Sequence, residues 1–192
     1  MPQVRIAPLE PPYSAQTEQL LAKWMPPGAQ TEPLGLFRTL AVHDDLSARM
    51  RPLGAGILGS RIIDPVLREV MIARTCALCS AEYEWGVHVV AFATALGLTE
   101  EQLYSTVHGA PEDACWNPQQ RNIIRMADEL HDTGGISDDL FCALEDDFDQ
   151  KQILELAVTA GWYHTIAYVV SVCGVALEPW AAQFPTAGEP VQ

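Results

Sequence analysis

The sequence predicts an all-α protein, a bundle of about seven helices in a single domain. Three observations carry this reading. Helix-capping signals recur at short intervals, the apolar residues between them keep helical spacing, and no stretch shows convincing strand alternation.

The elements follow in order. Ser14 is a candidate N-cap for a short amphipathic helix over residues 15–25, bracketed by proline-rich segments at 1–13 and 26–33. Residues 1–34 thus read as a proline-rich arm with one short helix, 35–180 as the helical body and 181–192 as a C-terminal tail. The arm has too little apolar content to fold alone, so it should lie on the body or on a neighbour. Leu36, Leu40, Leu46 and Met50 predict a helix over 36–50, after which Gly54, Gly56 and Gly59 should force a loop.

Asp64-Pro65 is a strong start signal, a capping carboxylate followed by proline at the first helical position, for a helix ending near Cys79. Ser80 should cap the next helix, with Gly97 as its stop. Thr99 with Gln102, Asn117 with Gln120 and Asp149 with Gln152 have the spacing of capping boxes, and Ser137 is a further N-cap. Residues 156–177 contain no Asp, Glu, Lys or Arg. That run has the length of a membrane span, but Thr159, Gly161, His164, Thr165, Ser171 and Gly174 dilute it, so it is expected to be a buried central helix.

At 192 residues, 48% of them hydrophobic, the chain is long enough for a real core and too apolar for general disorder. Eleven Lys and Arg against 25 Asp and Glu give a formal charge of -14, which repels phosphate backbones and anionic membrane surfaces. Neither nucleic acid nor a membrane is an expected partner. The proline-dotted start lacks a continuous apolar run, so no secretory signal is expected and a cytoplasmic location follows. The five cysteines are then reduced thiols.

The chemistry concentrates between residues 68 and 88. Glu84 and His88 are four apart and share a helix face, where a carboxylate can fix the imidazole tautomer and raise its pKa. Cys76-Ala-Leu-Cys79 imitates a redox motif but falls at a helix C-terminus, where the partial negative charge disfavours a thiolate. A zinc site needs more ligands than this pair and a distant histidine, and there is no second Cys-x-x-Cys, so no metal is expected, nor any other cofactor. His43, His108 and His131 read as surface residues. His164, in the apolar last helix with Trp162, Tyr163 and Tyr168 nearby, could line the same pocket from the opposite side.

Glu69, followed on the next helix by Tyr83-Glu84-Trp85-x-x-His88 and then Gly97-Leu98-Thr99, resembles the core of the carboxymuconolactone decarboxylase and alkylhydroperoxidase-D-like family, in its branch without cysteines in register. The similarity covers residues 64–98. In the family's peroxidase branch a glutamate stands nineteen residues before the histidine of Cys-x-x-Cys-x-x-x-His, and Glu69 and His88 keep that spacing. The cysteines of that pattern would fall at 81 and 84, which hold Ala81 and Glu84.

The resemblance implies a helical bundle that self-associates into a homo-oligomer. It also implies a lyase or acid-base enzyme acting on a small cyclic carboxylic acid or lactone. Loss of carbon dioxide from such a ring leaves a dienolate, which needs a donor facing the oxyanion and a proton source. His88, oriented by Glu84 or Glu69, is the candidate acid, with Tyr83, Trp85, Arg74 and His164 around the substrate and Arg74 holding a carboxylate. The alternatives are a thiol-dependent peroxidase using Cys76 and Cys79, and a non-catalytic accessory protein. The enzyme reading expects Glu69 and Glu84 near His88 and an imidazole reachable from a cavity.

Overall fold

The computed structural model describes residues 3–26 and 31–186. Among these the secondary structure is helical throughout, with nine α-helices, one 3-10 turn and one π-helical segment, and no strand. The chain groups into two compact units, Met1–Ser60 with Val169–Glu178, and Arg61–Tyr168 with Pro179–Gln192.

In the first unit, α1 (Ala15–Trp24) starts where the Ser14 hydroxyl accepts from the Thr17 amide at 3.1 Å. Its Leu20 and Leu21 form a small core with Ala41, flanked by Leu9, Tyr13, Trp24 and Phe37. A short helix α2 (Gly35–Leu40) leads through a 3-10 turn into α3 (Asp44–Gly59). Here the sequence expectation fails, because α3 continues through Pro52, Gly54 and Gly56 to Gly59. Ser47, Gly54 and Ile57 are buried at helical spacing, so packing along one face outweighs a propensity cost of roughly 1 kcal/mol per glycine. The arm lies on its own unit: the Arg5 and Ile6 amides donate to the Cys173 carbonyl, and Arg38 pairs with Glu10 and Glu32.

In the second unit, α4 (Pro65–Leu78) begins with Asp64 accepting from the Val66 amide at 2.7 Å. It ends in a Schellman closure, in which the Ala81 amide donates to the Cys76 carbonyl and the Ser80 amide to that of Ala77. Ser80 therefore sits at φ +53 as the left-handed residue ending α4. It cannot also cap α5 (Glu82–His88), whose N-cap is Ala81. A π-helical segment, Val89–Ala93, follows α5 directly. The three expected capping boxes and the Ser137 cap then open α6 (Glu100–His108), α7 (Pro118–Thr133), α8 (Asp138–Asp147) and α9 (Gln150–Cys173).

The central helix of this unit is α4, packed against α5, α6 and α7 and buried from Leu67 to Cys76. The sequence points to α9 instead, and α9 turns out to be only half buried over its most apolar window. Burial follows pairing rather than hydropathy. The polar residues Arg68, Glu69 and Arg74 of α4 each meet a partner inside, whereas Leu154, Val158 and Tyr168 of α9 stay exposed. One part of the expected tail also packs down. The Ala182 amide donates to the Gly86 carbonyl at 3.4 Å, and the Phe184 amide donates to Glu82 at 2.9 Å. A Cβ at position 86 would collide with the Ala182 carbonyl, which is why glycine stands there. The rest of the tail, 187–192, lies outside the described residues.

Candidate active site

Three helices of the second unit converge on His88. α4 brings Glu69, whose Oε2 lies 2.7 Å from His88 Nδ1. One turn before His88, on the same face of α5, Glu84 places Oε1 3.5 Å from Nε2. From α9 the Tyr163 hydroxyl lies 3.1 Å from the same Nε2. Arg68 donates from Nε to the other oxygen of Glu69 at 3.2 Å. Helix geometry explains the convergence, since positions four apart stack on one face of α5 and the nineteen-residue offset carries the chain back to α4.

The cluster is buried. His88 is 4% exposed, Glu69 1% and Tyr163 2%, and the imidazole meets Tyr163 edge-on at 5.0 Å and Phe92, tilted, at 5.1 Å. Phe92, on the π-helical segment, is half-buried. π-Helical turns are rare and frequently mark functional sites. Glu84 Oε2 is buried and has no hydrogen-bond partner among the described residues, in contrast with the oxygens of Glu69.

Burial alone would lower the His88 pKa. The hydrogen bonds to Glu69 and Glu84, with the charges of both carboxylates, outweigh it and raise the imidazole from 6.5 to about 9. His88 is therefore an imidazolium at neutral pH. Burial, followed by the Glu84 and Glu69 charges, pushes the Tyr163 phenol well above its usual value, so it stays a donor. A histidine whose folded pKa is raised stabilises the fold fully below its unfolded value and loses that contribution as pH rises. We expect about 3 kcal/mol of stability present at pH 6.5 to disappear as pH passes through about 9. Chemical denaturation across that range checks it, and His88→Gln should flatten the slope.

Of the residues singled out in the sequence, Glu69, Glu84 and His88 come together, and Tyr83, next to Glu84 along α5, is buried. Trp85 turns the other way, donating to Thr106 of α6 at 3.0 Å and meeting Phe184 edge-on. Arg74 does not hold a substrate carboxylate. Its guanidinium grips Asp128 at 2.6 and 3.1 Å and donates to the Thr106 and Gly109 carbonyls, fastening α4 to α7. Nor does His164 face His88, because it pairs with His131 at 3.2 Å. Consecutive residues on a helix point about 100° apart, so Tyr163 and His164 do not both face His88, and it is Tyr163 that does. Cys76 is fully buried, its thiol held well above the usual range by burial and then by the charges of Glu84, Cys79 and Glu69. Burial also raises the Cys79 thiol.

No family model and no curated protein matches the sequence. Solved structures do. A cysteine variant of the debrominase Bmp8 in complex with 2,3,4-tribromopyrrole matches with a TM-score of 0.76 at 13% identity, over 93% of this chain and 94% of that one. A peroxidase-related protein from Silicibacter sp. TM1040 matches with a TM-score of 0.74 at 15% identity, over 96% and 98%. An Agrobacterium tumefaciens protein of unknown function, described as an antioxidant defence protein AhpD, matches with a TM-score of 0.67 at 16% identity, over 72% and 95%. At these identities the likeness speaks for the fold alone, and by that measure the chain has the AhpD-like helical fold.

Proposed function

We propose that the protein is an acid-base enzyme acting on a small cyclic carboxylic acid or lactone, with His88 as the general acid. The observation that carries this reading is the buried imidazole held between Glu69, Glu84 and the Tyr163 hydroxyl. Decarboxylation of such a ring breaks the bond to the carboxyl carbon and sends the electron pair through the ring double bond to the carbonyl oxygen. Tyr163, a phenol that resists ionisation, suits the donor facing that oxyanion. The Nε2 proton of the imidazolium then passes to ring carbon, and Glu69 keeps Nδ1–H engaged so that the other nitrogen faces the reaction. Glu84 Oε2, without a partner among the described residues, is an acceptor available to a substrate that reaches the imidazole. That a structural neighbour binds a small five-membered ring favours a substrate of similar size.

The test is a screen of small cyclic acids and lactones, read by carbon dioxide release and by loss of the ring chromophore, on the wild-type chain and on His88→Gln. Turnover that survives His88→Gln would remove this reading.

We also infer a homo-oligomer. Leu154, Val158 and Tyr168 of α9, with Gly161 and Thr165 between them, are exposed at steps of four and three, an uncharged seam that suits a second copy of itself. Sedimentation at micromolar concentration should show more than one chain per particle. A monomer there counts against it.

A further inference from the structure

The sequence argues against a metal because Cys76 and Cys79, with a distant histidine and no second Cys-x-x-Cys, leave further ligands to be found. Folding supplies them. Cys79 caps the C-terminus of α4, His131 lies in the last turn of α7, and His164 is on α9, all within the second unit. His131 Nδ1 is 3.2 Å from His164 Nε2 and 3.9 Å from Cys79 Sγ, and all three ligand atoms lie within 4.8 Å of one another. Bond lengths of about 2.0 Å to nitrogen and 2.3 Å to sulfur around a tetrahedral ion put ligand atoms roughly 3.3 to 3.5 Å apart. The two separations from His131 Nδ1 bracket that range.

The protonation pattern also fits. His164 Nδ1–H donates to the Ala160 carbonyl at 2.9 Å, which fixes the tautomer and leaves the Nε2 lone pair facing the other two ligands. A backbone acceptor behind a ligating imidazole is the usual support of a metal-binding histidine. The ligand set is one thiolate and two imidazoles, with no carboxylate, and this suits zinc far better than magnesium or calcium.

We propose that Cys79, His131 and His164 form a three-ligand site for one zinc-class divalent cation, with a fourth position open to water. The ion would tie the end of α4 to α7 and α9. The inference does not depend on the His88 chemistry, since none of its three ligands belongs to that cluster.

The test titrates the full-length chain, first stripped by dialysis against a chelator, with cobalt(II) and then zinc(II). One cobalt per chain should bind, giving a thiolate-to-metal charge-transfer band and tetrahedral ligand-field bands, and zinc should displace it. Cys79→Ser should abolish the charge-transfer band. His164→Ala, or His131→Gln at the more exposed position if that variant fails to fold, should weaken binding by at least about tenfold, the least that losing even an outer partner of a ligand costs. Cys142→Ser, at an exposed thiol on α8, should change nothing. Binding that survives Cys79→Ser with its spectrum intact, magnesium binding of equal strength, or no saturable uptake would each overturn the site.

Discussion

Replacing Glu69 with glutamine is expected to destabilise the second unit by about 3–5 kcal/mol, because it removes the carboxylate that faces both His88 and Arg68 inside the core. The shape of the side chain is kept, so the loss reports charge rather than a cavity. Urea denaturation of the two proteins at neutral pH measures it. Glu69→Gln with His88→Gln should recover part of the loss, since the unbalanced cation is then gone, and the cycle of four proteins isolates their coupling. A loss below about 1 kcal/mol would mean that Glu69 and His88 are both neutral in the folded chain.

The second large effect separates the chemistries. On any substrate the protein turns over, His88→Ala should cost about a hundredfold or more, the scale of losing a general acid. Changing Cys76 and Cys79 together to serine should leave turnover largely intact, because burial keeps both thiols protonated at neutral pH. Peroxide reduction that vanishes with the cysteines and persists without His88 would invert the assignment and make the thiol pair the working group.

Much of this architecture is legible in the sequence because capping is local chemistry. Asp64, Thr99, Asn117 and Ser137 each make the predicted side-chain bond to a nearby amide. Glu69, Glu84 and His88 are legible for a related reason, since one spacing is a helix period and the other keeps a motif interval. What escapes depends on packing between distant segments. Tyr163 sits in a run whose apolarity hides which face it presents, and nothing in the sequence marks Arg68 as a partner of Glu69 until the two meet inside the central helix. His131 joins His164 only once α7 meets α9. Ser80 and the glycines of α3 mislead for the opposite reason, because local preference there is overruled by the left-handed closure of α4, which takes Ser80 and leaves Ala81 as the N-cap of α5, and by burial of a whole face.

The uncharged seam on α9 sits on a chain carrying a formal charge of -14, and the two act against each other when copies meet. Like-charged molecules repel over a Debye length of about 10 Å at 0.1 M salt, and that distance shrinks to about 3 Å at 1 M. Contact through apolar side chains does not weaken with salt. Assembly along this seam should therefore strengthen as ionic strength rises, the reverse of an interface built on ion pairs, and dilute low-salt buffer is the condition in which single chains would be found.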